Sequence, residues 1–277
     1  MDLIIGSSSR VAQRYVANRT EREFVTAGRD DISRWIDAGE DALNRYLESL
    51  NELPEVVHLF AGVTDPRVSR EEIWAVNVEL PLAVMAVATR LGLAVNTYGT
   101  VLEQLGPSEN LYIESKRTLA SEVVKARDIG VDAIHVRFHT VYGASIPQPH
   151  MFLGQILTSL VSGDEFHMSS GRQFREYHHV DDVVQAIDMV TSDRARASVT
   201  ISHGDPIQLM QLARSVFESF DRLDSLKIGA LADPVSDVTT PLAERTPELA
   251  DLEFRDTIPA VVSYMHDAVS IRRASEE

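Results

Sequence analysis

Short apolar runs alternate with amphipathic stretches through the first two thirds of the chain. Residues 2–5 (Asp-Leu-Ile-Ile) read as a buried strand leading into Gly6-Ser7-Ser8-Ser9-Arg10-Val11-Ala12 and a helical pattern to about Asn18. Residues 24–27 predict a second strand, ending at Gly28-Arg29-Asp30-Asp31. A helix follows over 32–50, with Trp35, Leu43 and Leu47 for its apolar face and a break near Pro54. The run from Val56 to Gly62 is nearly all apolar and rich in β-branched residues, as an interior parallel strand covered on both faces must be. The spacing of Ile73, Val76, Leu80, Val84 and Val87 predicts a long helix over 71–91, with Asn77 inside it and Pro81 expected to kink it. A strand over 93–96, a polar loop Asn96-Thr97-Tyr98-Gly99-Thr100, a helix over 113–127 and a strand over 133–138 complete the pattern. Strand and helix in strict alternation specify an α/β protein with a doubly wound parallel sheet.

Beyond that point the elements shorten. They read as a loop over 144–149, a helix over 151–161 and a short strand over 166–168. A helix capped by Asp181 or Asp182 to about Val190, a strand over 199–201 and a helix over 206–220 follow. Pro234, Pro241, Pro247 and Pro259 then punctuate loops and short elements before a last helix near 260–270. Residues 1–145 form the first domain, which also receives segments around 176–204, and 146–277 form mainly a small C-terminal lobe.

Composition narrows the function classes. The chain has 277 residues, 44% hydrophobic and 25% charged, with 42 acidic against 26 basic side chains and a formal charge of −16. That balance opposes binding to nucleic acid or to an anionic membrane, and no basic run offsets it. The absence of cysteine excludes disulfides, thiolate ligands and cysteine nucleophiles. With no basic or cleavable leader read ahead of the first strand and no apolar run judged long enough to span a bilayer, a cytoplasmic protein is expected.

The candidate chemistry lies at strand ends. Gly6, Ser9 and Ala12, spaced by three after the first strand, make a degraded Gly-x-x-Gly-x-x-Gly. Small residues there let backbone amides approach a pyrophosphate at a helix N-terminus, while a serine-rich cap on any α/β protein would look similar. The residue after the second strand chooses the cofactor in such Rossmann-like folds, and Arg29 points to the 2′-phosphate of NADP although Asp30 and Asp31 follow it. Tyr112 and Lys116, four apart on one helix, set a phenol beside an ammonium, a proton donor whose acidity a positive charge can tune. A hydroxyl from Thr97 or Thr100 could bind the same substrate oxygen.

Taken together, five ordered motifs resemble the extended short-chain dehydrogenase/reductase family, in its branch of nucleotide-sugar epimerases, dehydratases and ketoreductases. They are His58-Leu59-Phe60-Ala61-Gly62, Asn77-Val78, Tyr112-x-x-x-Lys116, Arg137-Phe138-His139-Thr140-Val141-Tyr142-Gly143 and Arg175-Glu176-Tyr177-His178-His179-Val180-Asp181-Asp182. The resemblance runs from Met1 to about Gly204. It implies Tyr112 as general acid/base, Lys116 holding the nicotinamide ribose and lowering the tyrosine pKa, and Thr100 first or Thr97 second as the hydroxyl on the substrate. It further implies Gly6, Ser8, Ser9, Arg10 and Val11 along the pyrophosphate, Phe60, Ala61 and Gly62 on the adenosine and ribose side, and His139 by the nicotinamide. Arg175 would grip the diphosphate of a nucleotide sugar, and the C-terminal lobe would bind that substrate. Where dehydratases of the family carry Asp-Glu after the catalytic threonine this chain has Val101-Leu102, which speaks against 4,6-dehydration. Paired His178 and His179 read as hydrogen-bonded structural residues, with no metal expected.

The expected protein is therefore an NADP-preferring reductase of a keto group on a nucleotide-activated deoxysugar. An NAD-dependent epimerase is the alternative, and a non-catalytic binding protein, suggested by the glycine losses, the second. Relatives pair through the helix before the catalytic strand and the Tyr-x-x-x-Lys helix, so a homodimer using Leu82, Met85, Val123 and Val124 is expected.

Overall fold

The computed structural model describes every residue except Pro66, 234–239 and 276–277, so Pro234 lies outside the described residues. The described chain divides into two compact units, Met1–Phe138 with Val184–Ile201, and His139–Val183 with Ser202–Glu277. Residues 139–145, 176–183 and 202–204 thus fall in the second unit.

The first unit is built on a six-stranded sheet. Its strands are β1 (Asp2–Ile5), β2 (Phe24–Ala27), β3 (Val56–Leu59), β4 (Ala94–Thr100), β5 (Ala133–Phe138) and the edge strand Ser198–Thr200. All pairs are parallel, in the order edge strand, β5, β4, β3, β1, β2. This is the Rossmann-like arrangement expected: the chain reverses its direction of travel across the sheet after β2, which opens a crevice at the strand ends beyond β1 and β3. Leu3, Ile5, Val57, Leu59 and Val95 of the strands pack with Leu43, Leu47, Val84 and Val87 of covering helices in one core.

Three local departures have physical causes. Helix α2 spans Arg29–Glu48, starting three residues earlier than the apolar pattern suggests. Its first turn is closed by Asp31, whose carboxylate accepts the Gly28 N–H at 3.1 Å, and Gly39 at φ +69° interrupts it. In the helix Arg70–Leu91 the irregularity precedes Pro81: Ala75–Glu79 is a π turn in which the Leu80 N–H reaches Ala75 O. Proline offers no N–H to the preceding turn, and the widened turn absorbs that loss. Finally, the polar run 96–100 is strand and not loop, because its neighbours satisfy it. Asn96 accepts from Arg194, and the Thr97 hydroxyl lies 2.7 Å from His135 Nδ1.

Helix Arg70–Leu91 is, among the described residues, the one helix long and apolar enough to cross a membrane; half of that apolar window is buried inside the fold. Of the four residues expected at a dimer face, Met85 and Val123 belong to the core at 2% and 0% exposure, Leu82 is half-buried, and Val124 is 45% exposed.

The second unit packs helices Phe152–Ser162, Leu209–Ser219 and Thr257–Ala274 around Ile156, Leu160, Phe217 and Met265. Two-stranded ladders trim it. Phe174–Arg175 pairs antiparallel with Ile207–Gln208, Phe166–Met168 pairs with Leu226–Ile228, and Thr140–Tyr142 pairs with Tyr177–His179.

Candidate active site

The turn after β1 is fixed by close backbone packing. Gly6 has φ +88°, and a Cβ there would stand 2.3 Å from Ala61 N, so no other residue fits. Gly6 and Ser7 both donate to Ala27 O, and the Ala61 N–H donates to Ile5 O, which ties the turn to the ends of β2 and β3. Ser9 is the N-cap of helix α1 (Arg10–Ala17), Ser8 is exposed, and Arg10 and Val11 open the helix. The helix N-terminus and its unpaired amides therefore face the crevice side of the sheet, as an anion site requires. Arg29 is the first residue of α2 and exposed, immediately after Gly28, whose Cβ position is 3.9 Å from Ser7 Oγ.

The second half of the site is built on β4 and the helix Leu111–Asp128. Asn110 caps that helix, accepting the N–H of Tyr112 at 3.0 Å and of Ile113 at 3.4 Å. Tyr112 is half-buried in the first turn, and Lys116 lies one turn on, 5% exposed. The Lys116 ammonium donates to Tyr98 O at 2.8 Å and stands 3.5 Å from the place a Cβ on Gly62 would take. Lys116 and the strip Phe60-Ala61-Gly62 are thus brought together. Gly62 is exposed and leaves an open cradle beside the ammonium, a fit to a ribose passing between them. Phe60, 8% exposed, lies flat on the Tyr98 ring with centroids 4.2 Å apart.

Thr100 ends β4 half-buried, its hydroxyl accepting the Leu102 N–H at 3.3 Å. Thr97, the alternative, is not brought to this surface: it is 0% exposed and its hydroxyl is engaged with His135.

Two buried residues outside the expected set organise these groups. Asn77, in the π turn, accepts from Val63 N at 2.8 Å and donates to Val63 O and to Ser115 Oγ, which itself donates to Tyr112 O. It braces the strip after β3 against the helix that carries Tyr112 and Lys116. Glu103, 4% exposed, lies 3.0 Å from His135 Nε2, accepts from Arg137 Nε at 2.6 Å and accepts the Thr100 N–H at 3.3 Å. The signal for Glu103 was in the sequence, as the capping pattern Thr100-x-x-Glu103. That for Asn77 was the Asn77-Val78 motif itself, an amide on an otherwise apolar helix face.

Burial raises the Tyr112 phenol, and the Glu103 charge raises it further. The lowering expected from Lys116 is not seen. Burial brings Lys116 down to about 8, against the opposing pull of Glu103. Burial also acts to raise Glu103, but its hydrogen bond from His135 and the charges of His135 and Arg137 outweigh this and hold it below the usual carboxylate range. If the ammonium binds cofactor, affinity is expected to fall as pH rises from 7 to 9 through the Lys116 value, and Lys116→Met should bind more weakly with that dependence gone. Fluorescence titration of the reduced cofactor across pH checks this; a dependence unchanged in the variant contradicts it.

In the second unit, Arg175 is half-buried on its short strand and donates to Phe174 O at 2.8 Å. His139 lies in a buried cluster with Glu176, 3.8 Å from its carboxylate, and burial lowers it to about 4.

The sequence pattern of the NAD dependent epimerase/dehydratase family matches residues 9–201. The chain belongs to that family. The NAD dependent epimerase/dehydratase family fold is also what solved structures share with it. UDP-glucose 4-epimerase from Thermotoga maritima, solved with UDP-glucose, is 16% identical at TM-score 0.78, with 100% of each chain covered. DesIV, a dTDP-glucose 4,6-dehydratase from Streptomyces venezuelae solved with NAD, is 16% identical at TM-score 0.76, covering 99% of this chain and 98% of its own. MoeE5, solved with UDP-glucose and NAD, is 18% identical at TM-score 0.74, covering 100% and 99%. No curated protein sequence matches the chain. The fold and family are those of an extended short-chain dehydrogenase/reductase, as the five motifs suggested.

Proposed function

We propose that this enzyme is a cytoplasmic, homodimeric, NADPH-dependent reductase of a keto group on a nucleotide-activated deoxysugar. The observation that carries it is a Tyr112 phenol raised by burial and by Glu103, one turn from an ammonium set beside the Gly62 cradle. A phenol that keeps its proton at neutral pH is equipped to donate it to an oxygen that is gaining negative charge. Bound NADPH supplies the hydride that the carbonyl carbon receives. Tyr112 protonates the carbonyl oxygen and recovers its proton from solvent; Thr100 orients that oxygen; Lys116 holds the cofactor's ribose; Arg175 binds the diphosphate of the sugar nucleotide. Val101 and Leu102 provide no carboxylate for water elimination, which argues against a dehydratase.

NAD-dependent epimerisation is the second reading, favoured by the epimerase among the structural neighbours and by Asp30 beside Arg29. Denaturing the purified protein and identifying the released nucleotide separates the two. An empty site or NADP supports the reductase, and stoichiometric NAD supports the epimerase.

Two variants probe the assignments. Arg29→Ala is expected to erase a preference for NADPH over NADH of roughly ten- to a hundredfold, the worth of one charge-assisted pair of about 1.5–3 kcal/mol, while leaving NADH affinity as it was. Equal affinities for both cofactors in the wild-type protein would remove the argument for NADPH. Arg175→Met should weaken nucleotide-sugar binding by about 1.5–3 kcal/mol and spare the cofactor, as calorimetry with each ligand can measure. Equal loss of both would mean that the substitution had unfolded the second unit.

A further inference from the structure

The second unit holds a cluster that the proposed reaction does not use. Glu176, 1% exposed, accepts from Ser202 Oγ at 2.8 Å and from the His203 N–H at 2.9 Å. His178 Nε2 lies 2.9 Å from Glu176 Oε2, and His203 Nδ1 lies 3.5 Å from the same oxygen. His139 Nε2 faces the other oxygen at 3.8 Å, its side chain 5% exposed, and has no hydrogen-bond partner. Ligand atoms of Glu176, His178 and His203 all fall within 4.8 Å of one another.

Hydrogen bonding within the fold does not account for this set, because a buried imidazole nitrogen aimed at a carboxylate is left without a bond. A cation between them does. Four ligands at about 2.0–2.1 Å around a tetrahedral ion stand about 3.3 Å apart. His178 Nε2 at 2.9 Å and His203 Nδ1 at 3.5 Å from Glu176 Oε2 bracket that edge, and the three ligand atoms all lie within 4.8 Å of one another. Three imidazoles and one carboxylate suit a borderline ion such as zinc, whereas calcium and magnesium take oxygen ligands. Polar and aromatic neighbours hold the set in place. Ser202 Oγ orients the carboxylate, and the Phe254 ring packs on the His178 and His203 rings with centroids 5.2 and 5.6 Å away. His203 is only half-buried and precedes exposed Gly204 and Asp205, which gives the ion a way in.

We propose that Glu176, His178 and His203, with His139 as the fourth ligand, bind one zinc-class divalent cation, which pins the 202–205 segment to 176–178. The sequence pattern, with no carboxylate at helical ligand spacing from His178 and His179, leads to the expectation of a hydrogen-bonded pair without a metal. His179 pairs with Asp181 and Arg255, while His178 faces Glu176 and the His203 ring, which comes from 25 residues further on. On binding, His178 moves its ring proton to Nδ1, and His203 Nδ1 gives up the Asp205 N–H it now accepts at 3.0 Å.

The test uses the full-length protein stripped of metal and titrated with Co2+ and then Zn2+, following the visible absorption of four-coordinate cobalt and its displacement. One equivalent is expected to saturate. His178→Ala and His203→Ala, shown folded by circular dichroism, should each bind at least tenfold more weakly, while His150→Ala, exposed and outside the cluster, should bind as wild type. Anomalous diffraction at the zinc edge from wild-type crystals decides without any variant, with a peak expected about 2.0–2.2 Å from these ligand atoms. Absence of saturable binding, a peak elsewhere, or unchanged affinity in both cluster variants overturns the proposal.

Discussion

Tyr112→Phe is expected to lower turnover with a keto nucleotide sugar by about a hundredfold or more, the usual contribution of a positioned general acid. The change deletes one oxygen from a half-buried ring and leaves the Asn110 cap, Lys116 and the Asn77 brace intact. Cofactor affinity and melting temperature should therefore stay near wild type. That combination separates lost chemistry from lost structure. The same argument assigns Glu103→Gln a different outcome, since it removes the negative charge that adds to burial in raising the phenol and that pairs His135 and Arg137. Its cost should appear in stability, because breaking a buried pair leaves uncompensated charge. Steady-state rates, cofactor titrations and thermal melts on the three proteins make the comparison. A Tyr112→Phe enzyme with wild-type turnover would remove Tyr112 from the mechanism and favour a binding protein.

Gly6→Ala should show the largest combined effect on stability and cofactor binding. At φ +88° an L side chain costs about 1–2 kcal/mol. The new Cβ also falls 2.3 Å from Ala61 N, a backbone atom that moves only with β3, and such overpacking costs about 1–3 kcal/mol. Together these predict a loss of about 2–5 kcal/mol in denaturant unfolding, and a turn no longer shaped to receive a pyrophosphate. Gly62→Ala is the control. Its Cβ would make ordinary contact at 3.5 Å with the Lys116 ammonium, and the position is exposed, so stability should change by no more than about 0.5 kcal/mol. If the cofactor passes through that cradle, Gly62→Ala should bind it more weakly even so. Full stability in Gly6→Ala would mean that β1 and β3 do not hold each other as described.

The alternation of apolar runs and amphipathic stretches made the sheet legible, because each interior strand is buried on both faces and cannot hide its composition. Tyr112 and Lys116 were legible for a related reason: spacing alone sets them one turn apart on a helix. What the local pattern could not carry was satisfaction at a distance. Residues 96–100 look like a loop until Arg194, from a turn, and His135, from the neighbouring strand, supply partners. The same bond withdraws Thr97 from the surface and leaves Thr100 as the available hydroxyl. Met85 and Val123 have the composition of an interface and the burial of a core, and only packing tells these apart. Glu103 and Asn77 act through contacts 32 and 38 residues away along the chain, with His135 and Ser115. The degraded glycine motif proved less damaging to the turn than its residues suggest: Gly6 occupies a position where a side chain cannot fit, while Ser9 stands at the N-cap with extended backbone angles that any residue adopts.

The measurement that bears most directly on the account is the stoichiometry of cofactor oxidation during turnover. Wild-type enzyme, NADPH and a 4-keto nucleotide sugar are mixed, and absorbance of the reduced nicotinamide is followed alongside product by chromatography. One NADPH consumed per product formed, with the rate collapsing in Tyr112→Phe, is the predicted result. Product formed from a non-keto nucleotide sugar at constant absorbance, with NADH bound as well as NADPH, would contradict it and make the enzyme an epimerase.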